Sequence, residues 1–157
     1  MSLEYTINFY DTRSLDWRNR LIGYFSKTNI THCGLEVSNG TLATEYAVIE
    51  KHRGISAIKP HIYHRLIRSP LESFKLGAID STLPTVPDDF KISWIHYVFY
   101  HFIGKFINAP MPDSCATFVS SFLMDIGILN KKIFYPEDLY KELEHADNFN
   151  LWERKSR

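Results

Sequence analysis

Cys115 stands where a thiol can become a nucleophile. Asp113 or Ser114 can cap a helix, and Phe118, Val119, Phe122, Leu123 and Ile126 recur at helical spacing before Gly127, so a helix is predicted from Cys115 to about Ile126. A helix N-terminus carries unpaired amides and the positive end of the macrodipole, and both favour a thiolate. The same amides, that of Cys115 included, can donate to the oxyanion formed when a thiolate attacks a carbonyl carbon. A cysteine on an apolar helix face serves equally well as a core side chain, so this chemistry needs a base.

His32 can supply one. It begins the strand Thr31-His32-Cys33-Gly34-Leu35-Glu36-Val37, where alternation puts His32, Gly34 and Glu36 on one face and Cys33 on the other. Gly34 leaves room beside the imidazole. A carboxylate would fix the tautomer of His32 and support its charged form. Glu45, five residues beyond Gly40 on the return strand, comes back near the level of Gly34 or Leu35, within reach of His32 if the register slips slightly. Glu36 is the rival because it shares the face of His32. Ser114, Glu36 and Asp11 are further candidates for lining the oxyanion or substrate site.

These residues must be carried by definite elements. Residues 4–10 alternate Tyr5, Ile7 and Phe9 with polar side chains, which predicts a half-buried strand. Leu15, Leu21, Ile22 and Phe25 follow helical spacing. Residues 31–37 and 41–50, joined by Ser38-Asn39-Gly40, form a hairpin signature of the type I′ kind. Further strands are expected near Ile55 to Lys59 and Ser73 to Gly77, with a Pro-rich turn from Pro84 to Pro87. Asp88 to Phe106 is apolar on several sides, which predicts a largely buried helix, broken by Asn108 to Pro112. Pro136-Glu137-Asp138-Leu139 opens a last helix, and Glu153 to Arg157 is a short charged tail.

The 157 residues, 45% hydrophobic and 15% aromatic, suit one domain with a substantial core. Eighteen basic residues balance eighteen acidic ones, so no global field attracts nucleic acid. No run approaches the roughly 20 apolar residues of a membrane span, and MSLEYTINFYD lacks the basic and apolar regions of a signal peptide. The chain is therefore expected to be soluble and cytoplasmic, without integral membrane association, and with Cys33 and Cys115 as free thiols.

Taken in chain order, these motifs resemble the circularly permuted branch of the NlpC-type, papain-like superfamily, in particular the YiiX-like cysteine hydrolases with their phage and poxvirus relatives. The similarity runs from TINFYD and LDWRNRLIGYFS through the His32 strand, the turn at Gly40 and the acidic Glu45 to Asp113-Ser114-Cys115-Ala116-Thr117-Phe118-Val119, and on to Gly127-Ile128 and Tyr135 to Leu139. It implies an α+β fold, papain-like in permuted order, with an antiparallel sheet or half-barrel packed against helices and the nucleophile at a helix N-terminus. It also implies a Cys115-His32-Glu45 triad acting on a peptide, amide or acyl-lipid substrate without a cofactor. Hydrolysis, acyl transfer, and a catalytically inactive accessory protein that uses the fold for partner binding all remain open. Two positions depart from the pattern: Cys33 follows the histidine where relatives carry an apolar residue, and residues 108–112 are Pro-rich.

Other signals carry less. His61 and His64 resemble half a metal site, but no matching ligand pair with metal spacing accompanies them, and no metal is expected. His96 and His101 sit among aromatic residues, as core side chains would. Lys51, His52, Arg53, Arg65 and Arg68 read as a solvated surface. No phosphate-binding glycine loop or serine elbow is present.

Overall fold

The computed structural model describes residues 3–11, 24, 27, 29–38, 43–50, 56–60, 71–79, 84, 90, 93–146 and 152–155. The fold is α+β. Six strands, β1 (Leu3–Asp11), β2 (Ile30–Ser38), β3 (Ala43–Glu50), β4 (Ser56–Pro60), β5 (Glu72–Ile79) and β6 (Trp152–Lys155), form one sheet in the order β4-β3-β2-β1-β5-β6. Every neighbouring pair is antiparallel.

The period-2 reading of β1 holds: Tyr5, Ile7 and Phe9 are fully buried and stand opposite Val37, Leu35 and Cys33 of β2. That face carries the core, to which Phe74 and Leu76 of β5 contribute. On the other face of β1 Asn8 and Tyr10 are buried, while Glu4 and Thr6 are half-buried. There Asn8 accepts a hydrogen bond from Ser73 Oγ (2.7 Å) and donates one to Glu36 Oε2 (3.3 Å), so the carboxylate of Glu36 has a buried partner.

β2 and β3 pair as a hairpin, as expected, but the pairing ends at Ser38 opposite Ala43, which leaves four residues between them and not the two of a type I′ turn; those four lie outside the described residues. So do the expected helix around Leu15 to Phe25, save Tyr24, most of the Pro84 to Pro87 turn, and the clusters from Lys51 to Arg53 and His61 to Arg68. Glu153 to Lys155 of the charged tail belong to β6, which pairs with β5.

Helix α2 (Cys115–Asp125) is stopped at both ends by its own sequence. Ser114, the cap rather than Asp113, accepts from the Thr117 amide (3.1 Å) while Thr117 Oγ1 accepts from the Ser114 amide (2.6 Å), a reciprocal capping box. At the other end Gly127 adopts φ +76°, and bonds from the Gly127 amide to Met124 O and from Ile128 to Leu123 O complete a Schellman motif. Between them Ala116, Phe118, Val119, Phe122 and Leu123 are buried against the sheet. Pro136 opens α3 (Pro136–His145), as expected.

The segment from Asp88 to Phe106 is the main correction. It is not a long buried helix: α1 spans Trp94–Phe99 and continues into a π-helical turn at Tyr100–Gly104. Tyr97 and Gly104 face inward, whereas Ile95, Phe99, Phe102, Ile103 and Phe106 are exposed. The wide turn depends on Gly104, because a Cβ there would lie 2.8 Å from the Tyr100 ring. Apolar residues spread around a helix cannot all face one core when only one side of it meets the protein.

Candidate active site

Cys115 is the first residue of α2 and is half-buried against the core. Ser114 fixes that helix end from a second direction, since its hydroxyl also donates to Phe134 O (2.9 Å). Ser120, one turn on, accepts from the Ile133 amide (2.9 Å), so α2 is tied at two points to the strand-like segment that precedes α3. Ser114 thus acts as cap and anchor.

The described β2–β3 ladder runs from Leu35 to Ser38 and stops two residues short of Cys33. The thiol of Cys115 meets β2 there. Its pKa lies well below the ordinary thiol value, and the largest cause is a hydrogen bond from the Cys33 thiol. Burial opposes this; the charge of His32, a hydrogen bond from its imidazole and one from the Cys33 backbone amide add to it. The reciprocal effect appears at Cys33, whose thiol is pushed well above its usual value by burial, by the hydrogen bond it gives to Cys115 and by the charge there.

This geometry explains how two successive strand residues reach one sulfur. A strand amide points within the sheet plane toward where a neighbouring strand would lie. A sulfur that accepts from the Cys33 amide therefore occupies the edge of β2, level with the sheet, where side chains from both faces can approach it. Cys33, set aside in the sequence as a departure from the pattern of the resemblance, is a neighbour of the Cys115 thiol. The missed signal was its adjacency to His32.

His32 is held by its surroundings. It stands opposite Tyr10 of β1, with ring centroids 5.6 Å apart, and its Nε2 is shut off from solvent. Tyr97 of α1 is buried, and its phenol is raised above its ordinary value by that burial, then by the charge of Cys115 and by Tyr135. Tyr97 packs on Phe134 at 4.7 Å, and Tyr135, pushed up to about 12 chiefly by burial, lies 2.8 Å from His101 Nδ1. His101 is therefore tied to a tyrosine instead of lying in the core, and His96 is exposed.

The carboxylates fall differently from expectation. Glu45 is opposite Glu36, not level with Gly34 or Leu35. Both positions are four strand residues from His32, about 13 Å along the backbone at 3.3 Å per residue. Of the acidic candidates, Asp11 has the register position nearest the imidazole: it is half-buried, opposite Ile30 and just beyond the irregularity that follows the Tyr10–His32 pair. No group of three or more metal-ligating side chains occurs among the described residues.

The site thus brings together a lowered thiol at a helix start, an imidazole and a second thiol. Compared with known proteins, the chain matches no family model, no curated protein and no solved structure.

Proposed function

We propose that the chain is a cysteine hydrolase of the permuted papain-like kind, acting on an amide or ester bond. The observation that carries this reading is the placement of Cys115 as the first residue of the capped helix α2, packed against the core beside the His32-Cys33 stretch of β2, surroundings that favour its thiolate although burial works against it. A structural core thiol has the opposite tendency, as Cys33 itself illustrates.

In the mechanism His32 holds the proton of the thiol, and the Cys115 sulfur forms a bond to the substrate carbonyl carbon. The Cys115 amide, first in α2, donates to the oxyanion. Collapse of the adduct breaks the bond to the amine or alcohol, which leaves with the proton from His32. Water, deprotonated by the same imidazole, then releases the acid and restores the thiol.

The test is the pH dependence of alkylation by iodoacetamide, resolved by mass spectrometry for each cysteine. Cys115 is expected to react at pH values below the ordinary thiol range, with the inflection moving up in His32→Ala, while Cys33 stays unmodified. Cys115 titrating as an ordinary thiol, with the same profile in His32→Ala, refutes the assignment.

A further inference from the structure

Residues 95–111 expose seven large apolar side chains. Ile95 is 78% exposed, Phe106 76% and Ile107 61%, with Phe102, Ile103, Phe99 and Met111 between 39% and 50%. Isolated exposed apolar residues are ordinary, but a contiguous ridge on one segment marks a surface that meets something. From Phe90 to Pro112 the sequence holds no Asp or Glu, against two lysines and two histidines.

The basic character continues around the ridge. Lys105 sits within it, its Nζ 5.2 Å from the centre of the Phe106 ring. Lys105 and Met111 also line a groove of about 880 Å³ whose far wall carries Lys131, Lys132 and Lys141. Lys131 and Lys141 are paired with Glu142 (2.9 Å) and Glu137 (3.3 Å), and Asp138 also lines the groove, so Lys105 and Lys132 are the cations nearest the apolar edge without an ion pair described.

An apolar ridge bordered by cations is complementary to an anionic bilayer, whose headgroups meet the lysines while the apolar side chains enter the acyl boundary. A second copy of the chain fits less well, because a two-fold contact through this face presents the same cation-bordered patch on both sides and supplies no anionic partner for it. The eleven residues of α1 and the π-helical turn are too short to span, and no helix among the described residues is long and apolar enough to cross a membrane. They suit a segment lying in the interface.

The inner side of the same segment reaches the start of α2: Tyr97 packs on Phe134 (4.7 Å), whose carbonyl accepts from Ser114, the residue before Cys115. We infer that the ridge of residues 95–111 docks on an anionic lipid surface and that the acyl groups presented to Cys115 belong to lipids in that surface. The substrate half of this inference rests on the proposed function; the docking half does not.

The experiment is co-sedimentation of the full chain with vesicles of phosphatidylcholine alone and of phosphatidylcholine with phosphatidylserine. Wild type is expected to pellet with the anionic vesicles and little with the neutral ones. Binding should fall at least about tenfold in Phe106→Ser/Ile107→Ser, since burial of each side chain is worth more than the 1.4 kcal/mol of one decade. Both side chains are largely exposed, so the variant keeps its core, and alkylation of Cys115 in it should be unchanged. Failure of wild type to pellet with either vesicle, equal binding by the variant, or a wild-type dimer that the variant dissociates overturns the docking. Loss of the His32-dependent thiol profile with vesicle binding intact overturns the enzymatic reading instead.

Discussion

The two ends of β2 solve the same backbone problem in different ways. From Leu35 to Ser38 the strand is paired on both sides, with β1 and with β3, and Glu36 on its polar face is met by the Asn8 amide. From Ile30 to Cys33 the described pairing is with β1, and the start of α2 comes to the other edge, where the Cys33 amide hydrogen-bonds to the sulfur of Cys115. One end is a closed ladder. The other replaces a strand partner with the start of α2, and an amide that would have served a neighbouring carbonyl is turned to the Cys115 sulfur. The reactivity proposed for Cys115 thus falls where the sheet's hydrogen bonding is handed to a helix terminus.

The largest expected effect breaks the open end. His32→Ala removes the proposed base and should lower turnover of a susceptible ester roughly 100- to 10,000-fold, measured as kcat. The same variant should show a pH signature in stability. Because Cys115 has a lowered pKa in the folded chain, it contributes stability that is present above the unfolded thiol value, about 8.5, and is lost as pH falls through the folded value. Cys33 has a raised pKa and acts in the opposite sense, its contribution being present below about 8.5 and lost as pH rises through its folded value. Urea unfolding between neutral pH and pH 9 should therefore show less dependence on Cys115 in His32→Ala than in wild type.

Glu36→Ala tests the closed end. It leaves the buried Asn8 amide without this acceptor and should cost about 1–3 kcal/mol in urea unfolding. The alkylation profile of Cys115 should not move, because Glu36 lies about 13 Å along the strand from His32. A shifted profile would make Glu36 the orienting carboxylate and erase the distinction between the two ends. The same profile measured in Asp11→Asn and Glu45→Gln identifies which acid supports the imidazole; the register favours Asp11.

Cys33→Ala should slow alkylation of Cys115 at neutral pH by roughly tenfold, the worth of one hydrogen bond to a charged acceptor. Cys33→Ser, which keeps a donor, should recover part of that loss. Wild-type rates in both variants would assign the effect to the backbone amide alone. The smallest effect is at Thr31, whose Oγ1 is buried with no hydrogen-bond partner among the described residues. Thr31→Val exchanges that hydroxyl for a methyl group of similar shape and should raise stability by up to about 1 kcal/mol, seen as a higher urea midpoint with an unchanged slope.

The sequence by itself determined the local pieces of this arrangement. Alternation in Tyr5-Ile7-Phe9 marked β1, a cap at Asp113 or Ser114 and Gly127 bounded α2, Pro136 opened α3, and hydrophobic periodicity placed Cys115 at a helix start. All of these depend on residues within a few positions of one another, where propensity and capping act directly. Three features were decided only by the tertiary structure. Alternation put Cys33 and His32 on opposite faces, yet both reach one sulfur, because the sulfur sits at the strand edge and alternation says nothing about edges. Counting from the turn placed Glu45 level with Gly34 or Leu35, whereas the actual register set it against Glu36, since register follows from the pairing of whole strands. The aromatic stretch around Phe99 to Phe106 read as core and became an exposed ridge, because apolar composition fixes how much surface seeks burial, while the number of faces available for it depends on what the rest of the chain places alongside.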